Sequence, residues 1–403
     1  MAFKFQGVDF IEFDSLLSED ELLVRTNTRS FIEDKLIPII EQCNRDGRFP
    51  RELARPMGEL GFYGATIPEY GCAGMNNVEA GLLYQELERG DSGIRSFVSV
   101  QSALVMHPIY AFGSDEQKNY WLPKLATGEK LGCFGLTEPD FGSNPSGMRT
   151  RARKDGDDYI LNGEKMWITS GSIADVAVIW AKLEEPGVDA SAAADPKDLR
   201  IRGFLVETDR PGFSAKDVHG KWSLRASVTS GLSMQDVRIP AANLLAKSDG
   251  LKSPLTCLSQ ARYGISWGAI GAAMACYDCA LQYAKQRKQF RNQPIASHQL
   301  VQQKLAWMIT EITKAQLLAL QVGRLKDQGK AAFQHISMAK KNNVAMALDC
   351  ARTARDILGA NGIADDYPIM RHMMNLESVK TYEGTDDIHT LIIGQSITGI
   401  AAY

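Results

Sequence analysis

Two short segments hold the residue types from which a reaction could be built. The first, Cys133-Phe-Gly-Leu-Thr-Glu-Pro-Asp-Phe-Gly-Ser143, is followed downstream by Trp167-Ile-Thr169. Its glycines let backbone amides come close to a ligand, and Thr137, Ser143 and Thr169 bring small hydroxyl donors. Trp167 adds a flat apolar face able to cover an aromatic ring. Composition alone favours a plainer account, a Gly-rich turn beside a sheet. The second segment, Thr381-Tyr-Glu-Gly-Thr-Asp-Asp-Ile-His389, sets a carboxylate, Glu383, just ahead of a helix start. In isolation, a simple helix cap is the commoner explanation of that pattern.

A third pattern, Cys276-x-x-Cys279, carries little. No second pair or nearby His completes a zinc set, and the surrounding run Gly268–Leu281 reads as a buried helix, so no metal site is expected. Seven cysteines are an odd number, scattered through apolar surroundings, which fits reduced thiols rather than a disulfide framework.

The elements that must position these segments read as helix, sheet, helix. Residues 1 to about 130 look helical, with Ser18-x-x-Glu21 as a capping box and Asn44-Arg-Asp-Gly-Arg-Phe-Pro50 as turn-forming punctuation. Residues 131–245 change character: Tyr159-Ile-Leu, Asn162-Gly163 and Lys165-Met-Trp-Ile-Thr169 predict a hairpin, and Val176–Ala181 and Ile201–Val206 predict further strands. Glu184–Lys197, rich in Ala, Pro and Asp, predicts an exposed loop. From about 246 the helical period returns, with Leu305, Met308, Ile312, Ala315, Ala319 and Val322 forming one stripe. The class is α+β, divided as 1–130, 131–245 and 246–403. No G-x-G-x-x-G follows a strand, which argues against a Rossmann dinucleotide site.

Composition narrows the function classes. Among 403 residues, 45 basic side chains against 48 acidic ones leave a formal charge of −3. A nucleic-acid binder relying on phosphate neutralisation would show a strongly basic face instead. No apolar run approaches the roughly 20 residues that span a bilayer, so neither nucleic acid nor membrane is an expected partner. The N-terminus lacks secretory and transit signatures, so a cytoplasmic location is expected, or a mitochondrial matrix if the chain is a processed form.

Taken together, the motifs resemble a family. Phe134-x-Leu-Thr-Glu-Pro-x-x-Gly-Ser143, Trp167-Ile-Thr169, Arg287-x-Gln-Phe290 and Tyr382-Glu-Gly-Thr385 come in the order and spacing of the acyl-CoA dehydrogenases. Ser92-Gly-Ile-Arg-Ser96, the run from Val100 to Tyr110, Ala261-Arg-Tyr-Gly-Ile265 and the run from Arg371 to Glu377 are similar to its glutaryl-CoA-oxidising branch.

The resemblance implies an FAD enzyme that removes hydrogens from the α and β carbons of an acyl-CoA. Such chemistry asks for a base for the α-proton, donors for the thioester oxygen, and a flavin facing the β-carbon. By its place in the motif, Glu383 is the implied base, with Tyr382 and Gly384 beside the substrate. Around the isoalloxazine the implied positions are Phe134, Leu136, Thr137, Gly142, Ser143, Trp167, Ile168 and Thr169. Arg287, Phe290, Gln299, Asp356, Gly359 and Ala360 resemble residues that reach the pyrophosphate and adenine half from a neighbouring subunit, which implies a homotetramer. Thr385 and Asp387 follow the base onto its helix, and His298 is implied to lie near the flavin. Two departures stand out: Asn144 replaces the usual Asp, and Ala360 a usual Gly, whose added methyl could crowd a phosphate contact.

For the substrate, the resemblance implies glutaryl-CoA, its distal carboxylate met by Arg95 with Ser96 alongside. Leu255 to Arg262 match a segment lining the CoA tail, and Ser143 also sits at the thioester end. A guanidinium can meet a buried carboxylate with two parallel bonds. From spacing alone, a surface pair between Arg95 and Asp91 is an equal account, and Glu88 could serve as a solvated partner of Arg89. Glu88 and Tyr382 stand where decarboxylating relatives carry a Glu and a Tyr, so crotonyl-CoA and CO2 are the expected products. The alternatives are a non-decarboxylating or short-chain acyl-CoA dehydrogenase, or a non-catalytic binding protein on the same fold. The implied electron acceptor is electron-transferring flavoprotein.

Overall fold

The helix start expected at Ser18 is built as its residues suggest. In the computed structural model, which describes residues 3–184 and 200–402, the Glu21 N–H donates to Ser18 Oγ while the Ser18 N–H donates to the Glu21 carboxylate at 2.8 Å. The first block then runs α1 (Glu19–Phe31), α2 (Ile37–Asp46), α3 (Ala54–Glu59), α4 (Asn77–Gly90) and α5 (Ser92–Ser99). A wide π-type turn, Val100–Met106, joins α5 to α6 (His107–Phe112), and α7 (Asp115–Ala126) closes the block. Residues 80–106 are buried without interruption although they include Glu86, Glu88, Arg89, Asp91 and Arg95. Charges so placed are costly unless paired, so this stretch must supply its own partners.

The middle block is one sheet of β1 (Gly132–Gly135), β2 (Arg151–Asp155), β3 (Asp158–Thr169), β4 (Val176–Glu184), β5 (Ile201–Glu207), β6 (Phe213–Asp217) and β7 (Thr229–Pro240). The order is β1-β4-β2-β3-β7-β6, with β5 on the other edge of β4. β4 shows why its sequence is continuously apolar. Val176, Val178 and Trp180 face the helical core, while Ala177, Ile179 and Ala181 face a separate sheet core. Beyond Glu184, which ends β4, the expected loop lies outside the described residues.

One expectation is corrected here. Asn162-Gly163 makes no hairpin; β3 runs straight through it, and the turn lies at Gly156-Asp157, between the paired Asp155 and Asp158. Asn162 instead exchanges hydrogen bonds with Asp236, at a register shift between β3 and β7. Gly163 is there for close approach, since a Cβ would stand 2.7 Å from the Thr150 backbone.

The last block contains α8 (Lys252–Gln286), a small hairpin of β8 (Lys288–Gln289) and β9 (Gln293–Pro294), then α9 (Gln299–Asp327), α10 (Phe333–Leu358), α11 (Ile369–Thr381) and α12 (Asp386–Thr398). The stripe expected on α9 is buried in full. α8 lies unusually close to α4. A Cβ on Gly271 would stand 1.9 Å from the Gln85 carbonyl oxygen, and one on Gly268 would stand 2.0 Å from Glu88 Oε2. All seven cysteines are free, and among the described residues no helix is long and apolar enough to cross a membrane.

Candidate active site

Four helices of the two helical blocks bring charged residues to the turn between α11 and α12. The turn is Tyr382-Glu383-Gly384. The Tyr382 N–H closes α11 on the Ser378 carbonyl, and Thr385 Oγ1 caps α12 by accepting from the Ile388 N–H. Between those stops Glu383 is held at φ 52, a left-handed conformation that costs a non-glycine residue about 1–3 kcal/mol. Gly384 follows at φ 101, and a Cβ there would stand 2.9 Å from His389 Nε2.

Buried cations hold this turn. Lys340 on α10 donates to the Tyr382 carbonyl at 2.9 Å and to the Gly384 carbonyl at 2.6 Å. Arg262 on α8 donates through Nε to the Glu383 carbonyl at 2.6 Å. All three successive carbonyls of the turn are thereby engaged. Glu383 Oε2 is shielded from water and has no hydrogen-bond partner among the described residues. Burial pushes the Glu383 carboxyl above the usual carboxylate range, against the pull of Arg95, Lys340 and Arg262. Burial also draws Lys340 down to about 7, against Glu383. An unpartnered carboxylate with a raised pKa is suited to accept a proton from a weak carbon acid.

A second charged group stands on the α4–α5 side. Arg95 Nε donates to Glu88 Oε2 at 2.6 Å, and both side chains are 0% exposed. Arg95 Nη2 donates to the Tyr382 hydroxyl, so this group touches the Glu383 turn directly. Arg95 Nη1 and Glu88 Oε1 have no partners among the described residues. Burial works against the Arg95 charge, but Glu88, Tyr382 and Glu383 outweigh it and keep the guanidinium protonated. Burial pushes the Glu88 carboxyl upward despite Arg95. The competing pairings do not form. Asp91 takes Arg371 at 2.8 Å and caps α5 through the Gly93 N–H, while Arg89 pairs with Glu86 and Glu33. A buried guanidinium N–H left without a partner among the described residues is the donor a ligand carboxylate requires.

The sheet contributes an aromatic platform. Between Lys165 and Ile168, β3 carries one residue more than β7 does between Leu232 and Ser230. The bulge turns Trp167 to φ 63 and leaves it 59% exposed, while Ile168 stays buried. Met166 donates to the Thr137 carbonyl, tying the bulge to the loop after β1. That loop is braced from behind by fully buried Lys165, which donates to the Leu136 carbonyl and to Glu138 at 3.0 and 2.9 Å. Phe134 and Leu136 are buried, Gly142 and Ser143 exposed, and space is open around Gly142. The hydroxyls of Thr137, Ser143 and Thr169 make no hydrogen bonds among the described residues. An exposed indole with free donors around it fits a planar, acceptor-rich ring system such as a flavin.

Arg287, Phe290, Gln299, Asp356, Gly359 and Ala360 form another group, where the C-terminal ends of α8 and α10 meet the β8–β9 hairpin and the start of α9. Phe290 is 78% exposed and packs edge-on against His298, 5.6 Å between centroids. Asp356 pairs with Lys304 on α9. No hydrogen bond or ion pair among the described residues joins this group to the Trp167 platform. Ser96 is buried beside Arg95, Leu255 lies half-buried two turns before Arg262 on α8, and Asp387 is exposed on the first turn of α12.

Sequence reading passed over Lys340 and Tyr84 and took His389 as structural, and all three stand around this cluster. Both His389 ring nitrogens are buried with no hydrogen-bond partner among the described residues, and burial lowers His389 to about 3. A signal for Lys340 existed: it falls on the buried stripe Ile336, Ala339, Asn343, Val344 and Ala347 of α10, where a cation needs a reason.

Comparison with known proteins finds relatives over nearly the whole chain. Residues 18–129, 133–237 and 248–398 match the family models for the acyl-CoA dehydrogenase N-terminal, middle and C-terminal domains. The probable acyl-CoA dehydrogenase YngJ of Bacillus subtilis (strain 168) is 35% identical over 94% of this chain and 98% of its own. A crystal structure of glutaryl-CoA dehydrogenase from Mycobacterium smegmatis is 53% identical with a TM-score of 0.92, covering 97% of each chain. A second from Mycobacterium smegmatis, in complex with FADH2, is 48% identical with a TM-score of 0.94, covering 99% of this chain and 100% of that one.

Proposed function

The chain belongs to the acyl-CoA dehydrogenase family, and from that premise we propose that it binds FAD and oxidises glutaryl-CoA, then releases CO2 to leave crotonyl-CoA. When bound, FAD supplies a two-electron acceptor for the hydride leaving the β-carbon. Trp167, Ile168, Thr169, Thr137 and Ser143 would hold its ring system. Arg287, Phe290, Gln299 and the 356–360 segment would serve the other half in a neighbouring subunit of a homotetramer. We take 1–130, 131–245 and 246–403 as the domains, and electron-transferring flavoprotein as the acceptor of the electrons.

Within that frame the residues divide the work. Glu383 takes the α-proton, and the Glu383 N–H donates to the thioester oxygen as it gains enolate character. Arg95 meets the distal carboxylate through Nη1. Once the α,β double bond is in place, the bond between the γ-carbon and the carboxylate breaks as CO2. Its electron pair enters a dienolate conjugated with the thioester, and the proton held by Glu383 returns to carbon. Glu88 weakens the Arg95 grip so that the carboxylate is oriented without being locked as a stable ion pair.

The observation that carries the substrate assignment is the buried Arg95, with Nη1 unpartnered among the described residues and Nη2 on the Tyr382 hydroxyl beside Glu383. Arg95→Met keeps much of the stem volume and removes the charge. Truncating one partner of a buried charged contact costs about 2–5 kcal/mol. The expected result is a loss of most of the kcat/KM for glutaryl-CoA with little change for butyryl-CoA. Equal losses on both would assign Arg95 to structure and remove the distal carboxylate from the account.

A further inference from the structure

The Lys340 side chain is 1% exposed, and it spends its hydrogen bonds on the backbone of the Glu383 turn. The direction of those bonds has a consequence. A trans peptide is planar, so the Tyr382 C=O and the Glu383 N–H belong to one rigid unit and point opposite ways. Fixing the carbonyl on Lys340 therefore fixes where the N–H aims. That N–H makes no hydrogen bond among the described residues, nor does the turn follow a helical path that would give it one. The 2.6 Å bond to the Gly384 carbonyl holds the Gly384–Thr385 peptide, so the same ammonium anchors the turn on both sides of the Glu383–Gly384 peptide. A donor bonded to the carbonyl oxygen also polarises the peptide, which strengthens its N–H as a donor.

We propose that Lys340 is a positioning residue that aims and strengthens the Glu383 N–H as the protein's hydrogen-bond donor to the thioester oxygen. Arg262, on the Glu383 carbonyl, governs the next peptide and the Gly384 N–H, so the two cations act on different donors. Lys340 touches neither reacting carbon; it acts through the backbone it holds. The inference rests on the acyl-CoA reading and deepens it at one atom.

The test separates the two. Crotonyl-CoA, which has a thioester carbonyl, and S-(2-butenyl)-CoA, its thioether counterpart without one, are titrated into flavin-loaded wild type and Lys340→Met. Flavin absorbance reports binding without turnover. Wild type should prefer the thioester. In Lys340→Met that preference should fall about tenfold, the upper range of one net hydrogen bond, with thioether affinity nearly unchanged. Lys340→Gln, which keeps one donor, should fall between and serves alone if Lys340→Met does not fold. An unchanged preference, or equal weakening of both ligands, would overturn the role of Lys340 while leaving the acyl-CoA reading intact. Failure of wild type to bind either ligand would remove that reading itself.

Discussion

Glu383 combines a strained backbone, a shielded carboxylate and three cations nearby, and these have opposite effects on function and stability. Its raised pKa means that the folded chain holds this proton more tightly than the unfolded chain does. The group therefore adds stability only at low pH, and that contribution is lost as pH rises through the folded pKa. Glu383→Gln, neutral at every pH, should raise Tm at neutral pH while lowering the flavin reduction rate about 10⁴-fold, the upper end for a general base. Scanning calorimetry and anaerobic stopped-flow reduction check the two halves. An unchanged or lower Tm would show that the carboxylate is not the destabilised group described here. In the wild type the reduction rate should rise with pH through a value above the ordinary carboxylate range, because the ionised form accepts the proton. Glu383, Arg95 and Tyr382 were legible in the sequence because they sit in ordered motifs. Lys340 and Tyr84 were not, since they lie in helices whose motifs say nothing of them and only the fold shows what they face.

At the scale of elements, the site depends on how closely α8 approaches α4, and two glycines one turn apart allow it for different purposes. Beside Gly271 stands backbone, the Gln85 carbonyl, so Gly271→Ala must push the helices apart. Beside Gly268 stand Glu88 Oε2 and Arg95 Nε, so Gly268→Ala must disturb the charged pair. Overpacking costs about 1–3 kcal/mol or more, and both variants should lower Tm. Only Gly268→Ala should also change the ratio of glutaryl-CoA to butyryl-CoA turnover. The same shift in both variants would mean that the pair is not tuned by this contact. The sheet teaches a related lesson about reading sequences. Asn162-Gly163 carries a hairpin signal, yet the glycine answers a close approach by Thr150, a neighbour visible only after folding. The bulge that presents Trp167 was equally hidden, because an extra residue in β3 has meaning only against the register of β7.

Over the whole molecule, the alternation of helix, sheet and helix was legible because hydrophobic period changes at each junction. The relation between distant segments was not. Turn 382–384 is bonded to α5, α8 and α10, elements far apart in the chain, and no local pattern announces that convergence. The Arg287 and Asp356 group makes no hydrogen bond or ion pair to the Trp167 platform among the described residues. The products of the proposed reaction test the account most directly. Purified enzyme is given glutaryl-CoA with a saturating artificial electron acceptor, and the CoA products are identified by mass while released CO2 is counted. The account predicts crotonyl-CoA and one CO2 for each pair of electrons delivered. Glutaryl-CoA recovered unoxidised, or glutaconyl-CoA accumulating without CO2, would contradict it.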